Sequence, residues 1–320
     1  MTAHETAPRI VRFGDLKPCK TAFIDAHTPG SDQKENFTII GGGVSESADQ
    51  HVHIEETPGF NIGAAGQPPK CKNSMHAHRT AEVFFVQSGR WRFFWGQHGT
   101  AGEVVLEEGD IFDIPTGIFR GFENIGTDYG MIMSILGGDD AGGGVIWAPH
   151  VLEAAKAHGL ILAETGALYD TAKDERLPDG VGPMIPLTDA ELEAFPETPA
   201  SEVVPQFVKR FWDMKALSTD GPATVIGPGN DAMIRDRTGF EVAFVQSGED
   251  DPYMTDRNEI LMVHRGHWRL AWDGGEVTLA PGDVCMVPPG LQRSLAPNRS
   301  GDTALFRVRD TDDAPGPTRT

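Results

Sequence analysis

The sequence predicts an all-β protein in which two β-barrels are joined by a connection with a few short helices. Three observations support this prediction. Part of the first half is repeated in the second half, the repeated segments are typical of short strands, and 320 residues exceed what one hydrophobic core usually covers. We expect a first barrel over 1–145, a connection over 146–200 and a second barrel over 201–310.

The repeat extends from an arm before each barrel to the strands near its end. Four pairs of segments match: 82–95 with 259–272, 109–120 with 282–293, and, more weakly, 11–17 with 209–215 and 38–41 with 224–227. The matching segments are rich in aromatic and β-branched residues, and clusters of glycine, proline and aspartate separate them. This pattern predicts short strands, with Trp91, Phe93 and Trp95 in the core.

Helices are predicted only in the connection. Residues 151–163 contain many strong helix formers, although Gly159 weakens the end of that segment. Thr188 and Glu191 have the spacing of a capping box, which predicts a short helix that ends before Pro196.

Charge and composition exclude several classes of function. The net charge of −20 repels phosphate backbones and anionic lipids, so we expect no nucleic-acid or membrane partner. No apolar run is long enough to span a membrane, and the N-terminus has no secretory signal, which predicts a cytoplasmic protein. Cys19, Cys71 and Cys285 form neither a disulfide framework nor a metal knuckle.

The strongest chemical signal is the motif His76-Ala-His78-Arg-Thr-Ala-Glu82. Side chains two residues apart in a strand point to the same face, so both imidazoles can reach one point inside a barrel. Two histidines and a carboxylate bind Fe(II) with open coordination positions, and the same donors accept Mn, Ni or Zn. We therefore predict a metal site at His76, His78 and Glu82, with Fe(II) as its first candidate.

These motifs resemble those of the cupin superfamily. The His-x-His-x-x-x-Glu motif with Gly89 is similar to the first cupin motif, and the segment from Gly109 through Pro115, Gly117 and Arg120 is similar to the second. Two copies make the chain resemble bicupins, which implies two double-stranded β-helix barrels and association into a homo-oligomer. Similar bicupins include gentisate and salicylate dioxygenases, which cleave aromatic rings and hold iron in the N-terminal barrel.

The chain departs from the family pattern at several positions. Lys70 replaces a glycine of the first motif, and Arg120 replaces the usual third histidine ligand. A protonated guanidinium cannot bind a cation, so Arg120 either binds a substrate carboxylate as a catalytic residue or forms a buried ion pair with Glu82. In the second half Tyr253, Thr255 and Arg293 replace the three histidines, which predicts a barrel without metal, and Arg293 has the same ion-pair alternative with Glu259.

The leading functional prediction is a metal-dependent dioxygenase that acts on a small carboxylated substrate, with aromatic acids as the first candidates. One alternative is a non-redox metal-dependent isomerase, lyase or hydrolase, and another is a metal-free binding or scaffold protein. A second His-x-His pair, His51 and His53, either supplies a further ligand or lies in a solvated loop, and we favour the loop.

Overall fold

The computed structural model describes residues 7–138, 144–298 and 301–312. The described chain forms two compact units, one built from 17–55 and 61–208 and the other from 7–16, Glu56–Phe60 and 209–312. We call them the first and the second barrel. The connection predicted over 146–200 belongs to the first barrel, whereas the N-terminal arm belongs to the second.

Strands make up most of both barrels. Those up to residue 147 are β1 (Arg9–Val11), β2 (Glu35–Ile40), β3 (Val52–Ile54), β4 (Phe60–Gln67), β5 (Lys72–Ala77), β6 (Glu82–Ser88), β7 (Trp91–Trp95), β8 (Gly102–Leu106), β9 (Ile111–Ile114), β10 (Arg120–Asn124), β11 (Gly130–Gly137) and β12 (Ile146–Trp147). The later ones are β13 (Leu160–Leu162), β14 (Leu168–Asp170), β15 (Val208–Lys209), β16 (Ala223–Gly227), β17 (Ile234–Arg235), β18 (Phe240–Val245), β19 (Glu249–Tyr253), β20 (Glu259–Arg265), β21 (Trp268–Trp272), β22 (Gly275–Leu279), β23 (Val284–Val287), β24 (Arg293–Pro297) and β25 (Ala304–Asp310).

The two barrels share one topology. The first has a sheet ordered β12-β5-β10-β7-β8 and a second sheet ordered β15-β9-β6-β11-β4-β2-β3. The second has the corresponding orders β19-β24-β21-β22 and β1-β23-β20-β25-β18-β16-β17. The edge strand of the seven-stranded sheet in the first barrel is β15, which comes just before the second half in sequence. In the second barrel this edge strand is β1, which comes before the first half.

Strand register confirms the repeat residue by residue. Arg120 pairs with His76 on one side and Trp95 on the other, and Arg293 pairs with Tyr253 and Trp272 in the same way. The predicted all-β fold with two double-stranded β-helix barrels is thus confirmed. Trp91, Phe93 and Trp95 are almost completely buried in the core of the first barrel, as expected from their alternation with less buried residues.

The helices are short. They are α1 (Pro149–Ala157), α2 (Asp189–Glu193), α3 (Ala200–Phe207) and α4 (Phe211–Leu217), with single 3-10 turns at Phe13–Asp15 and Thr171–Lys173.

The predicted capping box is confirmed at the start of α2. The helix predicted over 151–163 is too long, because Gly159 turns the chain at φ +88° and the next residues form β13. Helices α3 and α4 lie beyond the segment in which helices were predicted. None of the helices in the described part of the chain is long and apolar enough to cross a membrane.

Candidate metal centre

Three buried side chains converge at the end of β5 in the first barrel. His76 lies in β5, His78 follows the end of that strand, and Glu82 begins β6. Their ligand atoms lie within 4.8 Å of one another. Among the described residues, this is the one group of three or more histidine, cysteine or carboxylate side chains with metal-binding proximity.

Backbone hydrogen bonds orient both imidazoles. His76 Nδ1 lies 2.7 Å from the carbonyl oxygen of Ser74, and His78 Nδ1 lies 2.5 Å from that of Gly144. A carbonyl oxygen only accepts hydrogen bonds, so each Nδ1 must carry a proton, and Nε2 is the nitrogen that holds the lone pair when the ring is neutral. This is the tautomer in which a histidine binds a metal through Nε2 and is held by its other nitrogen.

The charge states also suit a cation. Burial lowers the pKa of His76 well below its usual value, and Arg120 lowers it further, which keeps this ring neutral. Burial acts to raise the pKa of Glu82, but the guanidinium of Arg120, together with His78, holds that pKa far below its ordinary value. Glu82 is therefore ionised, with Oε1 placed 3.5 Å from His78 Nε2. A neutral imidazole and an anionic carboxylate are the forms that bind metal ions.

Arg120 is engaged by protein groups. Its Nη2 donates a short hydrogen bond to Glu82 Oε2, and its Nη1 donates to the backbone oxygen of His76 over 3.3 Å. The side chain is 2% exposed and is not part of the described wall of the cavity. This arrangement is the ion pair that the sequence left open as an alternative, and the role of Arg120 in substrate binding stays a prediction.

The candidate ligands line a cavity of about 90 Å³ that opens to solvent. Its wall is mostly apolar, with Gly63 and Ala65 on β4, Ser134 on β11, and five aromatic side chains. The aromatic residues are Phe23, Phe37, Phe84, Phe122 and Trp147. Trp147 also contacts one candidate ligand, since its ring centroid lies 5.4 Å from that of His76.

A buried ion pair braces the strand that carries the histidines. Asp25 and Lys34 are almost completely buried and form a close ion pair. Asp25 Oδ2 accepts a hydrogen bond of 3.0 Å from the amide of Ser74, the residue whose carbonyl holds His76. Lys34 donates to Asn73 Oδ1 over 2.9 Å. The ion pair therefore fixes the backbone from which His76 is oriented.

Glu46 is a second buried carboxylate near the cavity wall. It accepts a hydrogen bond of 2.6 Å from the indole of Trp147 and one of 2.8 Å from the amide of Ile24. Burial raises its pKa to about 8, although both hydrogen bonds lower it. Glu46 thus holds Trp147 against the cavity from behind.

His51 and His53 do not join the centre. The ring of His53 is held by the Thr38 carbonyl oxygen, 2.8 Å from Nδ1, and by the Lys17 amide, 3.2 Å from Nε2. His51 is exposed and stacks edge-on against His53. Neither belongs to the described cavity wall, so the loop interpretation fits their positions.

In the second barrel the residues at the positions of the histidines are not metal donors, and both oxygens of the matching carboxylate, Glu259, have protein partners. Tyr253 donates a hydrogen bond of 2.9 Å to Glu259 Oε1, and Arg293 Nη2 lies 2.9 Å from the same atom. Arg309 Nε donates to the other oxygen, Oε2, over 2.8 Å. Burial acts to raise the pKa of Glu259, but Arg293, Arg309 and Arg307 together lower it.

Arginines of β25 occupy positions at which the first barrel has small or apolar residues. Leu136 pairs with Glu82 across the first barrel, and Arg309 pairs with Glu259 across the second. By the same register Arg307 takes the place of Ser134, which lines the first cavity. The second barrel therefore differs from the first in two ways: it lacks the histidines, and arginine side chains stand at positions that line the cavity in the first barrel.

Sequence reasoning did not identify Asp25, Lys34, Glu46 or Trp147. A signal for the first two was present, because twenty residues separate Lys17 from Thr38 but only eight separate the matching Lys215 and Thr224. The extra segment supplies the brace behind His76 and part of the cavity wall.

Comparisons with known proteins agree with this fold. A model of the cupin domain matches residues 66–136, which contain His76, His78, Glu82 and Arg120. No curated protein sequence matches the chain. Among solved structures, a salicylate 1,2-dioxygenase from Pseudaminobacter salicylatoxidans superposes with a TM-score of 0.55 at 15% identity, covering 96% of this chain and 84% of that one.

An oxalate decarboxylase from Bacillus subtilis, solved as a mutant, superposes with a TM-score of 0.56 at 14% identity, covering 95% of this chain and 78% of that one. At such low identity both likenesses concern the fold alone. Residues 66–136 match the cupin domain, and the repeated sheet orders and matching strand registers give the chain two barrels of the same kind, so its fold is similar to that of bicupins.

Proposed function

We propose that this protein is a metal-dependent dioxygenase, with Fe(II) held by His76, His78 and Glu82, acting on a small aromatic substrate that carries an anionic metal-binding group. One observation carries the proposal: both Nδ1 atoms are fixed by backbone carbonyls, which leaves the two Nε2 atoms as the candidate ligands, beside an ionised carboxylate at one cavity. When bound, a ferrous ion would supply Lewis-acid and redox chemistry at a site that leaves coordination positions open.

The residues of the chain would perform three tasks. Ser74 and Gly144 hold the imidazoles in the metal-binding tautomer through their carbonyl oxygens. Arg120 keeps Glu82 ionised and turns Oε1 toward His78 by holding Oε2. The aromatic wall excludes water and positions a planar substrate.

The test begins with metal content. Full-length protein reconstituted with Fe(II) without oxygen is expected to retain about one ion per chain, and His76→Ala is expected to lose it. His98→Ala is the matched control, because His98 is exposed and lies outside the centre. Oxygen uptake with small hydroxylated aromatic acids then tests the reaction. Turnover without oxygen would overturn the dioxygenase assignment in favour of a non-redox metal enzyme.

A second candidate is a metal-free cupin that binds a small molecule. The observation that favours it is the Arg120–Glu82 ion pair, which already gives the carboxylate a cationic partner. Failure to retain Fe(II), Mn(II), Ni(II) and Zn(II) after reconstitution would support it and overturn the metal-dependent proposal. Homo-oligomerisation and cytoplasmic location stay predictions.

A further inference from the structure

The wall of the first-barrel cavity has an unusual charge pattern for a site that takes an anionic substrate. Its described residues include neither lysine nor arginine, and its one carboxylate, Glu82, has Arg120 as its partner. Its other polar side chains are uncharged amides and hydroxyls, from Asn36, Thr38, Ser45, Asn61, Asn73 and Ser134.

The buried cations beside this wall are both neutralised. Arg120 is 2% exposed and pairs with Glu82, and Lys34 is 1% exposed and pairs with Asp25. Lys34 also donates to the side chain of Asn73 and lies 5.3 Å from the ring centroid of Phe23, behind these two wall residues. Neither cation is part of the described wall.

An anionic group on a substrate would therefore lose its hydration in this cavity without finding a cationic side chain to pair with. The metal ion is the exception. Burying a carboxylate in that way is strongly unfavourable. Neutral hydroxyl, carbonyl or amide groups, in contrast, can pair with the amides and hydroxyls of the wall. The aromatic side chains add a preference for flat apolar surface.

Given the metal site of the proposed function, we propose that the substrate has a single anionic end, bound at the metal, and an otherwise uncharged, aromatic body. This excludes dicarboxylates and aromatic acids with a second charged group away from the metal. The amide of Asn36, whose buried Nδ2 has no hydrogen-bond partner within the described part of the chain, would recognise a neutral oxygen substituent on the ring.

Three probes that share one chelating group test this inference. Zn(II)-loaded full-length protein is titrated calorimetrically with benzohydroxamate and with its 4-carboxamide and 4-carboxylate derivatives. The last two have nearly the same size and differ in charge. The carboxamide is expected to bind within about 10-fold of the parent, and the carboxylate about 100-fold more weakly.

The second barrel supplies a matched variant. Ser134→Arg introduces the residue that its counterpart position, Arg307, already has. In this variant the affinity for the 4-carboxylate derivative, relative to that for the 4-carboxamide derivative, is expected to be at least about 10-fold higher than in the unaltered protein. If Ser134→Arg does not fold, Ser45→Lys places a cation on the same wall at a half-buried position.

The outcomes separate the two proposals. Equal or tighter binding of the carboxylate by unaltered protein would overturn the inference about the substrate and leave the metal site intact. Loss of Zn(II) binding would overturn the proposed function instead. In that case the metal-free protein is titrated with benzamide and benzoate, and a preference for benzoate would overturn the inference as well.

Discussion

At the scale of single residues, the two glutamates at matching places depend on different partners. Glu82 forms an ion pair with Arg120, whereas Glu259 pairs with Arg293 and Arg309 and accepts a hydrogen bond from Tyr253. Removing one member of a buried ion pair leaves the other charge without compensation, which typically costs about 3–5 kcal/mol.

We therefore expect Arg120→Met to lower the free energy of unfolding by about 3 kcal/mol, and Arg293→Met to lower it by less, because Arg309 still compensates the charge of Glu259. Zn(II) should restore most of this loss in Arg120→Met, because the metal gives Glu82 a new cationic partner, and little in Arg293→Met. Urea unfolding with and without Zn(II) measures the difference. Equal rescue of both variants would contradict the assignment of the metal to the first barrel.

Glu46 gives a pH dependence with a defined sign. Its pKa is raised from 4.5 to about 8, so between these values the folded chain holds a proton that the unfolded chain has lost. Its contribution to stability is complete below pH 4.5 and is lost as the pH rises to 8, by at most about 1.4 kcal/mol per pH unit. Glu46→Gln should remove this slope.

Chemical unfolding of both proteins at several values between pH 5 and 8 tests the prediction. The free energy of unfolding of Glu46→Gln should fall less steeply with rising pH than that of the unaltered protein. Parallel profiles would show that Glu46 does not take up a proton on folding.

At the scale of elements, the turn between β4 and β5 has a left-handed backbone conformation at a residue that is not glycine. Lys70 stands where the cupin motif has glycine, and its φ is +67°. Residues with a Cβ are strained in this left-handed region by about 1 kcal/mol. The turn leads directly into the strand that carries His76.

Lys70→Gly should accordingly be more stable than Lys70→Ala by about 1 kcal/mol, since alanine keeps the strained Cβ. Thermal unfolding of the two variants measures this difference. Equal melting temperatures would mean that the turn adopts another conformation at this position.

Sequence predicts elements well where one local pattern decides them. The capping box at Thr188 and the alternating Trp91, Phe93 and Trp95 needed no tertiary information. Residues 160–162 form a strand instead of continuing a helix, because pairing with residues 168–170 outweighs helix propensity. That pairing depends on the turn around Gly166, which propensity does not describe.

The candidate centre shows the same limit. His76, His78 and Glu82 could be predicted because their spacing is local. The brace from Asp25 and Lys34 depends on a segment folding back onto β5, and the filling of the second barrel by Arg309 depends on strand register. Neither is encoded in a short motif, although comparison of the two halves would have indicated both.

At the scale of the whole molecule, the candidate metal donors and the cavity that they line belong to the first barrel. In the second barrel the matching positions hold Tyr253, Thr255 and Arg293. Tyr253→Phe and Thr255→Ala should therefore leave metal content unchanged at about one ion per chain, because no predicted donor is removed. Elemental analysis after reconstitution measures it, with His78→Ala as the variant that loses metal. Loss of metal in Tyr253→Phe would mean that the second barrel also takes part.

The edge strands have a practical consequence for dividing the gene. A fragment that begins at residue 1 and stops at 145 would carry β1 without its sheet and would leave β9 without β15. Unpaired edges of this kind promote aggregation. Cutting at residues 17 and 209 instead would keep β15 and nearly every sheet partner of the half with the candidate metal centre, which makes that piece the better choice for expressing it separately.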